Sequence, residues 1–181
     1  MAGTCASVPP ASCTGACASA CGAALTATLG ASLPTTGCVP PTDFTGGTAC
    51  NEQLCAGGGL GCQMSITWNE ITYDAVSSRV NAHAYAVLPV SIYSAFFGSC
   101  TLELSFHGNV SAGVTLSVTG QTVTATPATP QVDIYNVEAS GCGSLGSIAD
   151  IMLSIYGSFF EEVAATSLAD AISDASGVCQ W

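Results

Sequence analysis

Three cysteines, Cys13, Cys17 and Cys21, stand four residues apart, the interval that puts side chains on one face of a helix. Thiolates so spaced can share a metal ion; the same thiols can instead staple a helix to neighbouring loops. No histidine lies near them, and eleven cysteines in 181 residues far exceed cytosolic habit. Disulfides are therefore the expected use, and no metal site is predicted. His83 and His107 each fall on the polar side of an alternating run. Beside a carboxylate such as Glu103 or Asp74, either has the chemistry of a general base or a metal ligand. The plainer expectation is a solvated side chain on a polar strand face.

Gly141-Cys-Gly143-Ser-Leu-Gly146 has the GxGxxG spacing of a dinucleotide turn, which needs a parallel βαβ unit around it. Only 35 residues follow, and the preceding strands read as hairpin-linked, so these glycines are expected to serve as a strand-to-helix connection. Ser144 misses the nucleophile-elbow pattern because Cys142 stands two before it. No nucleophile–base pair emerges, so no catalytic residue and no cofactor is assigned, and the chain does not read as an enzyme. Asn109-Val-Ser111 is a glycosylation sequon, of use only in a eukaryotic secretory setting.

Charge narrows the partners. Arg79 is the single basic side chain, lysine is absent, and the formal net charge is −11. Such a surface repels nucleic acid and anionic membranes. Only 7% of residues are charged while mean hydropathy is positive, so solubility rests on Ser, Thr, Asn and Gly, or else apolar surface is covered by assembly or by a ligand. With its cysteines, the chain is expected to be secreted or on a cell surface. Met1-Ala-Gly-Thr-Cys5 shows neither the basic region nor the apolar core of a signal peptide, which suggests a mature chain or an excised fragment.

These residues must be positioned by two unlike regions. Residues 1–62 hold eight of the eleven cysteines and read as a disulfide-stapled segment or small subdomain, with a helix over about Ser12–Leu29. Residues 63–181 read as antiparallel sheet plus a long helix. Val80–Leu102 is uncharged and long enough to span a bilayer, but Asn81, His83 and Pro89 and its alternation favour strands. Strands are expected over Met64–Trp68, Glu70–Ala75, Cys100–His107, Val110–Thr119, Thr122–Thr126 and Gln131–Val137, with Gly108-Asn109 as a hairpin turn. Ser147 and Asp150 form a capping box for a helix from Ile148 to about Ala175. Its stripe of Ile151, Ile155, Phe159 and Val163 is expected to pack on Leu104, Phe106, Val114 and Leu116. The fold class is thus α+β, an antiparallel sheet against a long C-terminal helix.

The order of these parts over Ile66–Ile172 resembles half of a TULIP domain, the tubular lipid-binding family of the bactericidal/permeability-increasing and lipid-transfer proteins. The resemblance implies a highly twisted sheet wrapped around the helix, and a role in holding or transferring lipid. It also implies a bond between Cys100, ahead of the hairpin, and Cys142, just before the helix. Small and branched strand residues such as Ala82, Ala84 and Ala112 leave room for an apolar groove. The expected ligand contacts are Leu104, Phe106, Ala112, Val114, Leu116, Ile151, Ile155 and Phe159. Phe96, Phe97, Phe159 and Phe160 compete to fill that space. The basic tip that binds lipopolysaccharide phosphates is missing, so the expected ligand is an uncharged or weakly charged lipid or other apolar small molecule. The rival expectation is a structural subunit of an extracellular filament, sheath or surface layer. An odd cysteine count fits it, with Cys179 the candidate for a bond between chains in a homo-oligomer.

Overall fold

The computed structural model describes residues 3–4, 13–51, 53–55, 58–95, 98–119, 122–142, 146–175 and 179–180. In chain order they form β1 (Gly3–Thr4), α1 (Ala16–Ser32), β2 (Thr36–Val39), β3 (Thr42–Phe44), β4 (Gly47–Ala49), β5 (Cys62–Asp74), β6 (Arg79–Ser94), β7 (Gly98–Thr119), β8 (Thr122–Pro127), β9 (Gln131–Gly141), α2 (Gly146–Asp174) and β10 (Cys179–Gln180). The fold is α+β. One ten-stranded sheet has the antiparallel ladder β5–β6–β7–β9 at its centre. No described helix is long and apolar enough to cross a membrane, and the described residues of Val80–Leu102 lie almost wholly in β6 and β7.

The sheet follows from parity. Val80, Ala82, Ala84, Ala86, Leu88, Val90 and Ile92 of β6 are buried, while the residues between them face outward or are only half-covered. β7 pairs with β6 without a break from Arg79 opposite Gly113 to Ser94 opposite Gly98. That register stacks Leu102, Leu104, Phe106, Val110, Ala112 and Val114 on the same buried face, as period two requires. β5 adds Met64 and Ile66 and continues past a register shift at Asn69–Thr72, where Glu70 has φ 51°. The sequence suggested two strands around this point; the structure has one bulged strand.

Gly108-Asn109 is not a turn. β7 runs straight through it for 22 residues, and Gly108 pairs with Ala84 on one side and Ile134 on the other. A Cβ added at Gly108 would stand 2.9 Å from the Phe160 ring. The glycine gives α2 a close approach to the strand rather than letting the chain reverse. Reversal comes only after Thr119, where β8 pairs back along Val114–Thr119. β9 then continues beside Leu102–Ser111, after a break bracketed by Pro127 and Pro130, whose rings remove ladder donors.

Helix α2 lies on the buried face with a different stripe from the expected one. Met152, Tyr156, Phe160, Ala164, Leu168 and Ile172 are buried, whereas Ile151 is 46% exposed. Ile155, Phe159 and Val163 flank the core, partly covered. The buried set is one residue later along the helix, a rotation of about 100°. The helix begins one residue before Ser147; that side chain lies outside the described residues.

The N-terminal region joins the same core. Leu25, Leu29 and Leu33 cluster with Val39, Ala49 and the sheet. Helix α1 meets β5 closely, for a Cβ on Gly22 would collide with the Tyr73 ring. Its first turns, with Cys13 just ahead of them, pack Cys17, Ala18 and Cys21 against Val123. Bonds join Cys13 to Cys17, Cys38 to Cys55 and Cys50 to Cys62. Cys21 is disulfide-bonded too. The sulfurs of Cys13, Cys17 and Cys21 lie within 4.8 Å of one another, but as bridges rather than as open thiolate ligands. Cys100, at the start of β7, is bonded to Cys142, just past β9.

Candidate functional site

The expected ligand contacts separate into three environments. Leu104, Phe106, Ala112 and Val114 are buried in the main core. Their space is taken by α2: the rings of Phe106 and Phe160 stack at 5.7 Å with planes 19° apart. Phe160 is thus one of the fillers weighed above, while Phe96 and Phe97 lie outside the described residues. Leu116 is half-covered and touches both the main core and the cluster around the α1 cysteines. Ile151 stands at the rim. Ile155 and Phe159 line an open space.

That space is a groove of about 250 Å³ between α2 and the β2–β3 connection, just under the roughly 300–1,000 Å³ of small-molecule sites. Val39 and Pro40 form one wall, Ile155 and Phe159 the other, with Glu162 and Ser158 at the edge. Tyr156 forms part of its lining while its side chain reaches into the core. Its hydroxyl donates to Cys50 Sγ at 3.5 Å. The wall residues Val39 and Pro40 and the polar Tyr156 had no signal of their own in the sequence. They come to α2 only through the pairing of β2 with β5, a contact of long sequence separation.

Burial pushes the Tyr156 hydroxyl above its ordinary pKa, against a smaller opposing effect from its hydrogen bond with Thr42. The unfolded tyrosine ionises first, near its ordinary value of about 10, so Tyr156 contributes fully below that pH and its contribution is lost as pH rises through the folded pKa. Urea midpoints measured between pH 9 and 11 should fall faster for the wild type than for Tyr156→Phe. Parallel decline of the two would place the alkaline loss elsewhere.

His83 and His107 both face outward from the middle of the sheet, away from this groove. Asp74 is not their partner: it accepts from the Val76 amide at 2.9 Å and from the Ser77 hydroxyl in the β5–β6 turn. Asn109 of the sequon lies within β7 rather than on a turn, and the Ser111 hydroxyl accepts from Arg79 Nη2 at 2.8 Å. The Gly141–Gly146 run links an antiparallel edge strand to α2, without the parallel neighbour that a dinucleotide site requires.

No protein-family model matches the sequence, and no curated protein does. Among solved structures the chain is similar to a lipopolysaccharide-binding protein, with a TM-score of 0.46 and 11% identity over 87% of this chain. It is also similar to Takeout 1 of Epiphyas postvittana, with a TM-score of 0.39 and 11% identity over 87% of this chain. The matched region spans 36% of the first of those chains and 89% of the second.

Proposed function

We propose that this protein is a secreted or surface-exposed binder of a weakly charged or neutral apolar chain, held at the seam between the sheet and α2. The observation that carries the reading is the groove walled by Val39, Pro40, Ile155 and Phe159. Tyr156 lines it and is itself buried in the core beside Phe160. Leu104, Phe106, Ala112 and Val114 pack beneath α2 in the closed core and lie outside this groove. Multiple disulfides support an extracellular setting. Charge sets the ligand class: one arginine in the whole chain offers no cluster to pair with lipid phosphates. Catalysis has no part in this reading.

A fluorescent fatty acid or neutral lipid titrated into the protein should bind saturably at one per chain. Ser158 is exposed at the groove's edge, so Ser158→Trp fills the space while sparing the core and should abolish binding. Absence of binding by well-folded wild type would reject the reading. The rival, a structural subunit of an extracellular filament or sheath, is favoured by a different observation. Edge strand β9 pairs only with β7 among the described strands and leaves Val137 40% exposed. An unpaired edge of this length is a template for another strand. Native mass spectrometry, reporting bound lipid and oligomeric state together, distinguishes the two.

A further inference from the structure

The outer face of the sheet carries a second arrangement, independent of the groove. His83 lies opposite Asn109, and His107 opposite Tyr85 and Tyr135, so the two histidines are diagonal neighbours on adjacent strands. His107 Nδ1 stands 3.4 Å from His83 Nε2. That is beyond the roughly 2.7–3.2 Å of a good N–H hydrogen bond. It matches the separation of two nitrogens that each sit about 2.0–2.1 Å from one tetrahedral ion, which is about 3.3–3.4 Å. The rings are held from both sides: Tyr85 packs 4.7 Å from His107, and Tyr135 lies 5.8 Å from His83 and 5.7 Å from His107. A hollow of about 460 Å³ opens beside His83, with Glu70 and Asp133 on its walls. The Arg79 guanidinium, bonded to Ser111 and Gln131 of the same hollow, offsets part of the charge of these carboxylates, so the site rests on the imidazole geometry.

We propose that His83 and His107 form a two-imidazole site for a late divalent transition-metal ion, zinc or copper. Among the described residues no third imidazole, thiolate or carboxylate joins them at ligand distance. The remaining coordination positions therefore belong to water or to an incoming donor in the hollow. Imidazole selects zinc, copper or nickel over magnesium and calcium, and copper binds most tightly in the usual order of divalent ions.

The test uses the intact, oxidised protein. It holds only two histidines, so their ring signals in the NMR spectrum report on the site directly. Titrating zinc should shift both sets together and saturate at one equivalent, while magnesium leaves them unmoved. His83→Asn and His107→Asn should each weaken zinc binding by more than about 10–100-fold, the loss caused by removing even an outer partner of a metal ligand. Ring signals unmoved by millimolar zinc would overturn the proposal, as would binding that survives both substitutions. Should a variant fail to fold, the wild-type titration decides alone.

Discussion

Replacing Phe160 with alanine should lower the stability of the fold by about 3–5 kcal/mol, the range for emptying a large aromatic site in a closed core. The expectation rests on three features at once. The ring is fully buried, it stacks on Phe106, and Gly108 is the recess in β7 that admits it. Urea denaturation read by circular dichroism measures the effect, and a loss under about 1 kcal/mol would mean that α2 does not close the sheet as described. The same variant bears on function. A cavity lined by Phe106 and its neighbours stays dry and accepts an apolar guest. Adding a neutral lipid should then recover part of the loss, because a ligand that binds only the folded state stabilises it by mass action.

The second large effect belongs to the Cys100–Cys142 bridge. Their sequence separation is 42, and closing a loop of that size in the unfolded chain is worth about 4 kcal/mol in the chain-entropy account. The double change Cys100→Ser with Cys142→Ser should cost close to that amount. Neither cysteine lies at the centre of the core, since both flank it only partly covered, so lost packing adds little. An unchanged urea midpoint would show that the unfolded chain gains no freedom when the bond is removed.

Much of the architecture was legible because alternation is an unambiguous signal. The runs around Val80–Ile92 and Val110–Val118 give their buried faces by parity alone, and parity also placed His83 and His107 on the outside. What parity cannot give is register. Taken as a turn, Gly108-Asn109 splits β7 in two, because glycine marks both reversals and places where another element comes close. With β7 broken, the diagonal contact between the histidines was out of reach. The stripe on α2 differs from the expected one for another reason. Ile151, Ile155, Phe159 and Val163 have the same four-residue spacing as Met152, Tyr156, Phe160 and Ala164. The first set is the more apolar, yet the sheet takes the second. Gly108 leaves the recess in β7 that Phe160 fills, and hydrophobicity alone carries no information about shape. The groove was half visible: Ile155 and Phe159 were legible on the helix, while Val39 and Pro40 arrive from a distant segment.

The bridge between Cys100 and Cys142 also decides how the molecule would bear tension. It joins the beginning of β7 to the end of β9, so those strands and β8 form a covalent ring. A pull applied between β6 and α2 travels through the sulfur–sulfur bond and bypasses the ring. Roughly 140–150 Å of contour, 42 residues at 3.3–3.6 Å each, is withheld from extension for as long as the bond is oxidised. Under load, β7 can be stripped from β6 and α2 can be peeled away, but the β7–β9 loop cannot be drawn out straight. Whatever the chain holds or joins, it carries a stretch limit set by the redox state of its surroundings.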